Sequence, residues 1–234
     1  MNFKYKIKPS LTAITIIGLM ILFLCSDYHF KWKEEKWKST VFSDAAQYYR
    51  YLPTILIDHK IDTKEENPTA IKYYIGTSLF YLPFFYSAYA ISAISHLPID
   101  GYSLFFMIFV SIGTLFYLLL GFFYFTKFLK FYKIKPWVSS LMLLAMSMST
   151  IAYYTVLSPG WSHIVGFFLV CLLLYHVKKL YHNYNKISIF TILVSPSFLF
   201  FVRPSVALLV VLFPFLADHF QSFRDTLVSA LKEW

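Results

Sequence analysis

YSLFFMIFVSIGTLFYLLLGFFYFT, residues 102–126, runs without a charge until Lys127, and Lys130, Lys133 and Lys135 follow at once. The run is longer than the ~20 apolar residues that a helix needs to cross a bilayer. No acid lies near the lysines, and clusters of this kind mark the cytoplasmic side of a span. The stretch therefore predicts a membrane-crossing helix that begins outside and ends inside. It fixes the sidedness of everything around it.

Composition agrees. Hydrophobic residues make up 58% of the chain, aromatics 21% and charged residues 14%, against about 25% charged in a soluble domain. The net charge of +9 comes from Lys and Arg at the ends of apolar runs. There they act as topology signals, which argues against a nucleic-acid partner. Cys25 and Cys171 sit inside apolar runs without metal-ligand spacing and read as small packing residues. The expected class is an all-α, polytopic membrane protein.

Upstream, a basic start (Lys4, Lys6, Lys8) precedes an apolar run from about Leu11 to Ser26, with no small-residue cleavage site after it. We read an uncleaved first helix with a cytoplasmic N-terminus rather than a signal peptide. Tyr73 to Ile94 is long enough to cross, yet it carries Gly76, Pro83 and several tyrosines and serines. If it crossed, parity would put the lysine run outside, so the reading is an interfacial or re-entrant helix.

Downstream, Trp137 to about Leu157 goes out, Ser158-Pro159-Gly160 turns, and Trp161 to about Val177 returns to Lys178, Lys179 and Lys186. The block from Ile187 to Ala217, cut by Pro196, Arg203-Pro204 and Pro214, reads as two short spans hinged on the outer side at Arg203-Pro204. The expectation is about six crossings in a transmembrane module of residues 1–217, whose outer loop (27–101) holds juxtamembrane helices. Residues 218–234 read as a cytoplasmic amphipathic tail.

The outer loop is too long for a simple connector. Its island Phe42-Ser43-Asp44-Ala45-Ala46-Gln47-Tyr48-Tyr49-Arg50-Tyr51-Leu52-Pro53 has helical character, with Ser43 as expected N-cap. Asp44 falls in the first turn, and Tyr48 follows at i+4 on the same face. A carboxylate here either serves the helix dipole or does chemistry. His163, at an outer helix end beside Trp161, is either an interfacial histidine or a substrate contact. Arg203 either snorkels to the interface or meets an anion, for which a lipid phosphate is a natural bidentate partner. Tyr48, Tyr49 and His163 are the substrate-binding candidates. Asp58, Asp62, Glu65 and Glu66 leave room for a divalent ion, but a solvated charged loop accounts for them; no cofactor is called for.

Several motifs in order carry a resemblance. They are Ser43-Asp44-Ala45-Ala46-Gln47-Tyr48-Tyr49-Arg50-Tyr51-Leu52-Pro53, Lys72-Tyr73-Tyr74-Ile75-Gly76-Thr77-Ser78-Leu79, Leu82-Pro83-Phe84-Phe85, Asp100-Gly101-Tyr102-Ser103, Ser162-His163 and Val202-Arg203-Pro204-Ser205. Together the chain resembles the N-terminal half of bacterial GT-C membrane glycosyltransferases, in the group of protein O-mannosyltransferases and aminoarabinose transferases. The resemblance implies Asp44 as catalytic carboxylate and Tyr73–Ile94 as a juxtamembrane helix. It also implies a donor sugar on a polyprenyl phosphate, with Arg203 at that phosphate.

The implied reaction is inverting transfer to a glycan, lipid or protein acceptor at the outer face of the bacterial inner membrane. Where many relatives carry an adjacent acid pair, this chain has Asp44-Ala45. Relatives usually continue with further spans, which makes a truncated or split product the expectation. The competing readings are a transporter or assembly subunit for lipid-linked glycans, and an inactive fragment.

Overall fold

The computed structural model describes residues 8–31, 35–59, 73–183 and 185–217, and every regular element among them is helical. Helix α1 spans Lys8–His29, α2 Asp44–Leu56, α3 Gly76–Ile94 and α4 Leu104–Phe131. Next come α5 (Pro136–Ser147) and α6 (Thr150–Leu157), the latter widening to a π turn over Tyr153–Leu157. They are followed by α7 (Ser162–His182), α8 (Lys186–Val202) and α9 (Pro204–Leu216), which is 3-10 after its first turn.

Side-chain pairs give the helix directions. Phe168 of α7 packs on Tyr117 of α4, Tyr175 on Tyr124, and His182 on Phe131. Helices α4 and α7 therefore run parallel, and their close approach is made at Gly121, where a Cβ would come within 2.6 Å of the Phe167 ring. Helix α1 runs the opposite way, with Gly18 against Leu119 and His29 donating from Nε2 to the Val156 carbonyl at 2.7 Å. Helix α8 is antiparallel to α7: His176 bonds Ser188 at 3.1 Å, and Arg203 reaches Gly166.

Asn185 starts α8 by accepting from the Ser188 N–H. The chain ends it at Arg203, in extended backbone before Pro204, where the helical conformation is disfavoured. Helix α9 then runs back along α7 until Tyr181 and Lys178 donate to the Phe213 and Leu216 carbonyls, both at 2.9 Å.

Four helices are long and apolar enough to cross a membrane: α1 from Ser10, α3, α4 and α7. A fifth exists if α5 and α6, bent by 59°, form one broken span. These candidate spans suggest a multi-pass membrane protein. The count differs from the sequence expectation in three ways. Helix α3 passes by length, although its mean hydropathy of 1.2 is the lowest of the four. The Trp137–Leu157 stretch is not one straight helix, because its ladder breaks between Ser147 and Thr150. The expected hinge at Arg203-Pro204 is there, but α8, at 17 residues, and α9 are shorter than a full span. The expected amphipathic tail at 218–234 and the start of the chain up to Ile7 lie outside the described residues.

Carboxylates divide along the bundle, whereas bases occur at both ends, with Lys31, Lys36, Lys38, Arg50 and Arg203 at the Asp44 end. Lys127, Lys130, Lys178, Lys179 and Lys186 gather where α4 and α7 end and α8 begins. Among the described residues the carboxylates are Asp27, Glu35, Asp44, Asp58 and Asp100, and all belong to segments at the opposite end.

Candidate functional site

Helix α2 begins at Asp44, immediately after a strained turn. Ser43 stands at the expected N-cap position with φ 52° and ψ −129°, but its side chain makes no capping hydrogen bond. A non-glycine residue with positive φ persists only where its surroundings impose it, and such residues cluster at functional sites. The surroundings here are visible. Gly160, at φ +94°, turns the chain into α7 with room for a Cβ only 3.5 Å from that of Ala45. Its N–H donates to Thr114 Oγ1 at 3.0 Å, and the same hydroxyl pairs with Tyr81 at 2.7 Å. The acidic turn of α2 is thus seated on the turn before α7.

Helix α3 closes the other side. Gly76 lies against the backbone of Phe201 and Val202, where a Cβ would come within 2.4 Å of the Phe201 carbonyl. No side chain fits there, and the contact brings Tyr73 and the head of α3 to the end of α8, one residue from Arg203. Ser78 donates to the Tyr48 carbonyl, and the Tyr48 and Tyr73 rings pack 4.9 Å apart. The Tyr73 hydroxyl donates to the Asp44 carboxylate. That bond holds the phenol above the ordinary tyrosine range, so Tyr73 remains a donor throughout the neutral range.

Three charged or titratable groups meet here from separate parts of the chain. His163 is within electrostatic reach of both Asp44 and Arg203. The stem of Arg203 crosses Gly166, one turn along α7 from His163, with Cδ 3.5 Å from where a Cβ would stand. The His163 ring stacks on Tyr154 at 3.9 Å and 14°, and Trp161 packs against both. Tyr154 belongs to the π turn, a distortion frequent at functional sites.

Polar satisfaction fails at this place. Among the described residues, buried side-chain atoms without a hydrogen-bond partner are Gln47 Oε1, Thr77 Oγ1, Ser158 Oγ, Trp161 Nε1 and His163 Nδ1, together with Ser92 Oγ farther along α3. All but Ser92 belong to the first turn of α2, the head of α3 or the turn into α7.

The sequence-picked residues divide. Asp44, His163 and Arg203 come together. Tyr48 borders them, its hydroxyl accepting from Ser162 at 3.2 Å. Tyr49 has a packing role instead: its hydroxyl donates to the Gly101 carbonyl at 2.6 Å and its ring meets Phe85 and Tyr102. Burial pushes its phenol far above the ordinary range. Asp100 holds the turn before α4, accepting from the Tyr102 and Ser103 N–H groups at 2.7 and 2.6 Å. Asp62, Glu65 and Glu66 lie outside the described residues, and no metal-binding group of His, Cys, Asp or Glu occurs among those described.

Sequence reasoning passed over Tyr73, Tyr154, Trp161 and Thr77 as site residues. Their aromatic or small polar character matched the membrane-interface background, and only the fold sets them beside Asp44. No family model matches the chain, and neither characterised proteins nor solved structures give a match.

Proposed function

We propose that the chain is a membrane glycosyltransferase of GT-C type, moving a sugar from a polyprenyl phosphate to an acceptor hydroxyl at the outer face of a bacterial inner membrane. The observation that carries the reading is the meeting of Asp44, His163 and Arg203 at the end of the bundle opposite the cluster of Lys127, Lys130, Lys178, Lys179 and Lys186. By the positive-inside rule the lysine end is cytoplasmic and the Asp44 end faces out. Helix α4, at 28 residues, is about 42 Å long against about 30 Å of hydrocarbon. Helix α3 packs on its first half, through Phe85 on Phe106 and Phe84 on Tyr117. An interfacial α3 covering the excess length supports six crossings, with α8 and α9 as the last, short pair.

In the reaction the acceptor oxygen attacks the anomeric carbon as the bond from that carbon to the phosphate oxygen breaks. The acceptor proton passes to the Asp44 carboxylate, and the electron pair leaves on the lipid phosphate. Tyr73 donates to Asp44 and fixes its orientation, while the rest of the carboxylate receives the proton. Arg203 stabilises the charge developing on the phosphate. One displacement inverts the anomeric centre.

Asp44→Asn keeps shape and polarity but cannot take the proton. Release of prenyl phosphate from a prenyl-phosphate sugar in membranes should fall by ~10²–10⁴-fold, with expression and donor binding retained. Glu65→Gln and Glu66→Gln should leave release unchanged. Full release by Asp44→Asn would return Asp44 to the role of helix-dipole partner.

A further inference from the structure

The proposed reaction leaves unused the buried polar atoms around Asp44. An unpartnered buried donor or acceptor costs about 1–3 kcal/mol, and folded proteins hold few of them. Here five come from three separate elements, and Thr77 and Ser158 are wholly buried, at 0% exposure. Their chemistry is mixed and uncharged. Trp161 Nε1 only donates, Gln47 Oε1 only accepts, the two hydroxyls do either, and His163 Nδ1 does one or the other according to tautomer. An anion calls for donors alone and a metal ion for acceptors alone. A set of both kinds suits neighbouring hydroxyl groups, each of which donates and accepts.

The same residues form an aromatic bed. Tyr154, Trp161 and His163 pack with centroids 3.9 to 5.4 Å apart, an apolar surface with a few fixed polar points, as in small-molecule sites. Such a surface fits a ring that is apolar on its C–H face and hydroxylated at its rim.

We propose that Trp161, His163, Ser158, Thr77 and Gln47 form a hexose-ring subsite beside Asp44, in which the Trp161 N–H and the Ser158 and Thr77 hydroxyls read the ring hydroxyls. The subsite rests on the glycosyltransferase reading for its place in a reaction, and it adds the residues that distinguish one sugar from another.

The test uses the full chain in lipid nanodiscs and four probes: a C10 prenyl phosphate, bare or carrying glucose, mannose or galactose. The parent should bind at least one hexosyl phosphate about tenfold more tightly than the bare phosphate. Trp161→Phe keeps an aromatic ring and deletes the N–H. It should lower that sugar increment about three- to tenfold, the worth of one hydrogen bond, and leave the bare phosphate unaffected. Ser158→Ala should act in the same direction and covers the case in which Trp161→Phe fails to fold.

If no hexose improves on the bare phosphate, or both variants weaken all four probes equally, the subsite is overturned and water serves the buried atoms. A variant-sensitive sugar increment alongside normal release by Asp44→Asn would keep the subsite and remove the catalytic reading.

Discussion

At the lysine end, Lys127 lies over the Phe123 ring at 4.2 Å and near Tyr175, and Lys178, 2% exposed, donates to the Leu216 carbonyl. Each of these cations has a ring or a carbonyl to settle against. At the Asp44 end, Ser43 is strained, the helix before Ser158 widens to a π turn, and five buried polar atoms have no partner among the described residues. Among the described residues the lysine end has one positive-φ residue, Lys133 at 56°, whereas the Asp44 end combines a strained turn, a π turn and unpartnered buried groups. Such breaches belong where a protein gives up stability for function. A substitution at the lysine end or in the bundle beneath should change stability alone, and one around Asp44 should change binding or turnover alone.

The largest binding effect is expected from Arg203→Ala. A hydrogen bond to a charged partner is worth about 1.5–3 kcal/mol, so affinity for a C10 prenyl phosphate should fall ten- to a hundredfold or more, roughly. Arg203→Lys should fall between, keeping charge but not the bidentate fork. Titration calorimetry in nanodiscs reads both, and equal affinity in all three proteins would make Arg203 an interface anchor only.

Next is Gly121→Ala, in the bundle. The new methyl meets the Phe167 ring and the Phe168 backbone, and overpacking of this kind costs about 1–3 kcal/mol. Thermal unfolding should come earlier, while release of prenyl phosphate per folded molecule stays at the parent value. Tyr117→Phe removes the bond to the Phe80 carbonyl, 2.7 Å long, and should destabilise by about 1 kcal/mol in the same assay. The smallest stability effect is expected from Thr77→Val. Deleting a buried hydroxyl without a partner should leave the melting temperature unchanged or raise it. A clear loss of stability would mean that Thr77 belongs to the packed region after all.

The contrast also explains what could be read from the sequence. Helices α1, α4 and α7 were legible because length and unbroken apolarity suffice to announce them, and Lys127 to Lys135 set the sense expected of them. Arg203-Pro204 was legible as a hinge because proline restricts the residue before it. Gly76 was not: in an apolar run it is one more small residue, and only the Phe201 backbone lying against it shows why a side chain is forbidden. Neither was the pairing of Tyr73 with Asp44, since the two are far apart in sequence and share no periodicity. Tyr48 and Tyr49 are neighbours in the sequence, but the helical turn directs their rings to different partners, Tyr73 and Phe85. The 59° bend after Ser147 carries no proline or glycine to announce it.

A C10 prenyl phosphate bearing a diazirine next to the phosphate tests most directly which end holds the donor. After irradiation in nanodiscs and proteolysis, the label should map to the segments carrying Asp44, His163 and Arg203, and excess unlabelled prenyl phosphate should compete it away. Competable label confined to the segment from Lys127 to Lys135, or to Lys178 and Lys186, would place the lipid phosphate at the other end and contradict the account.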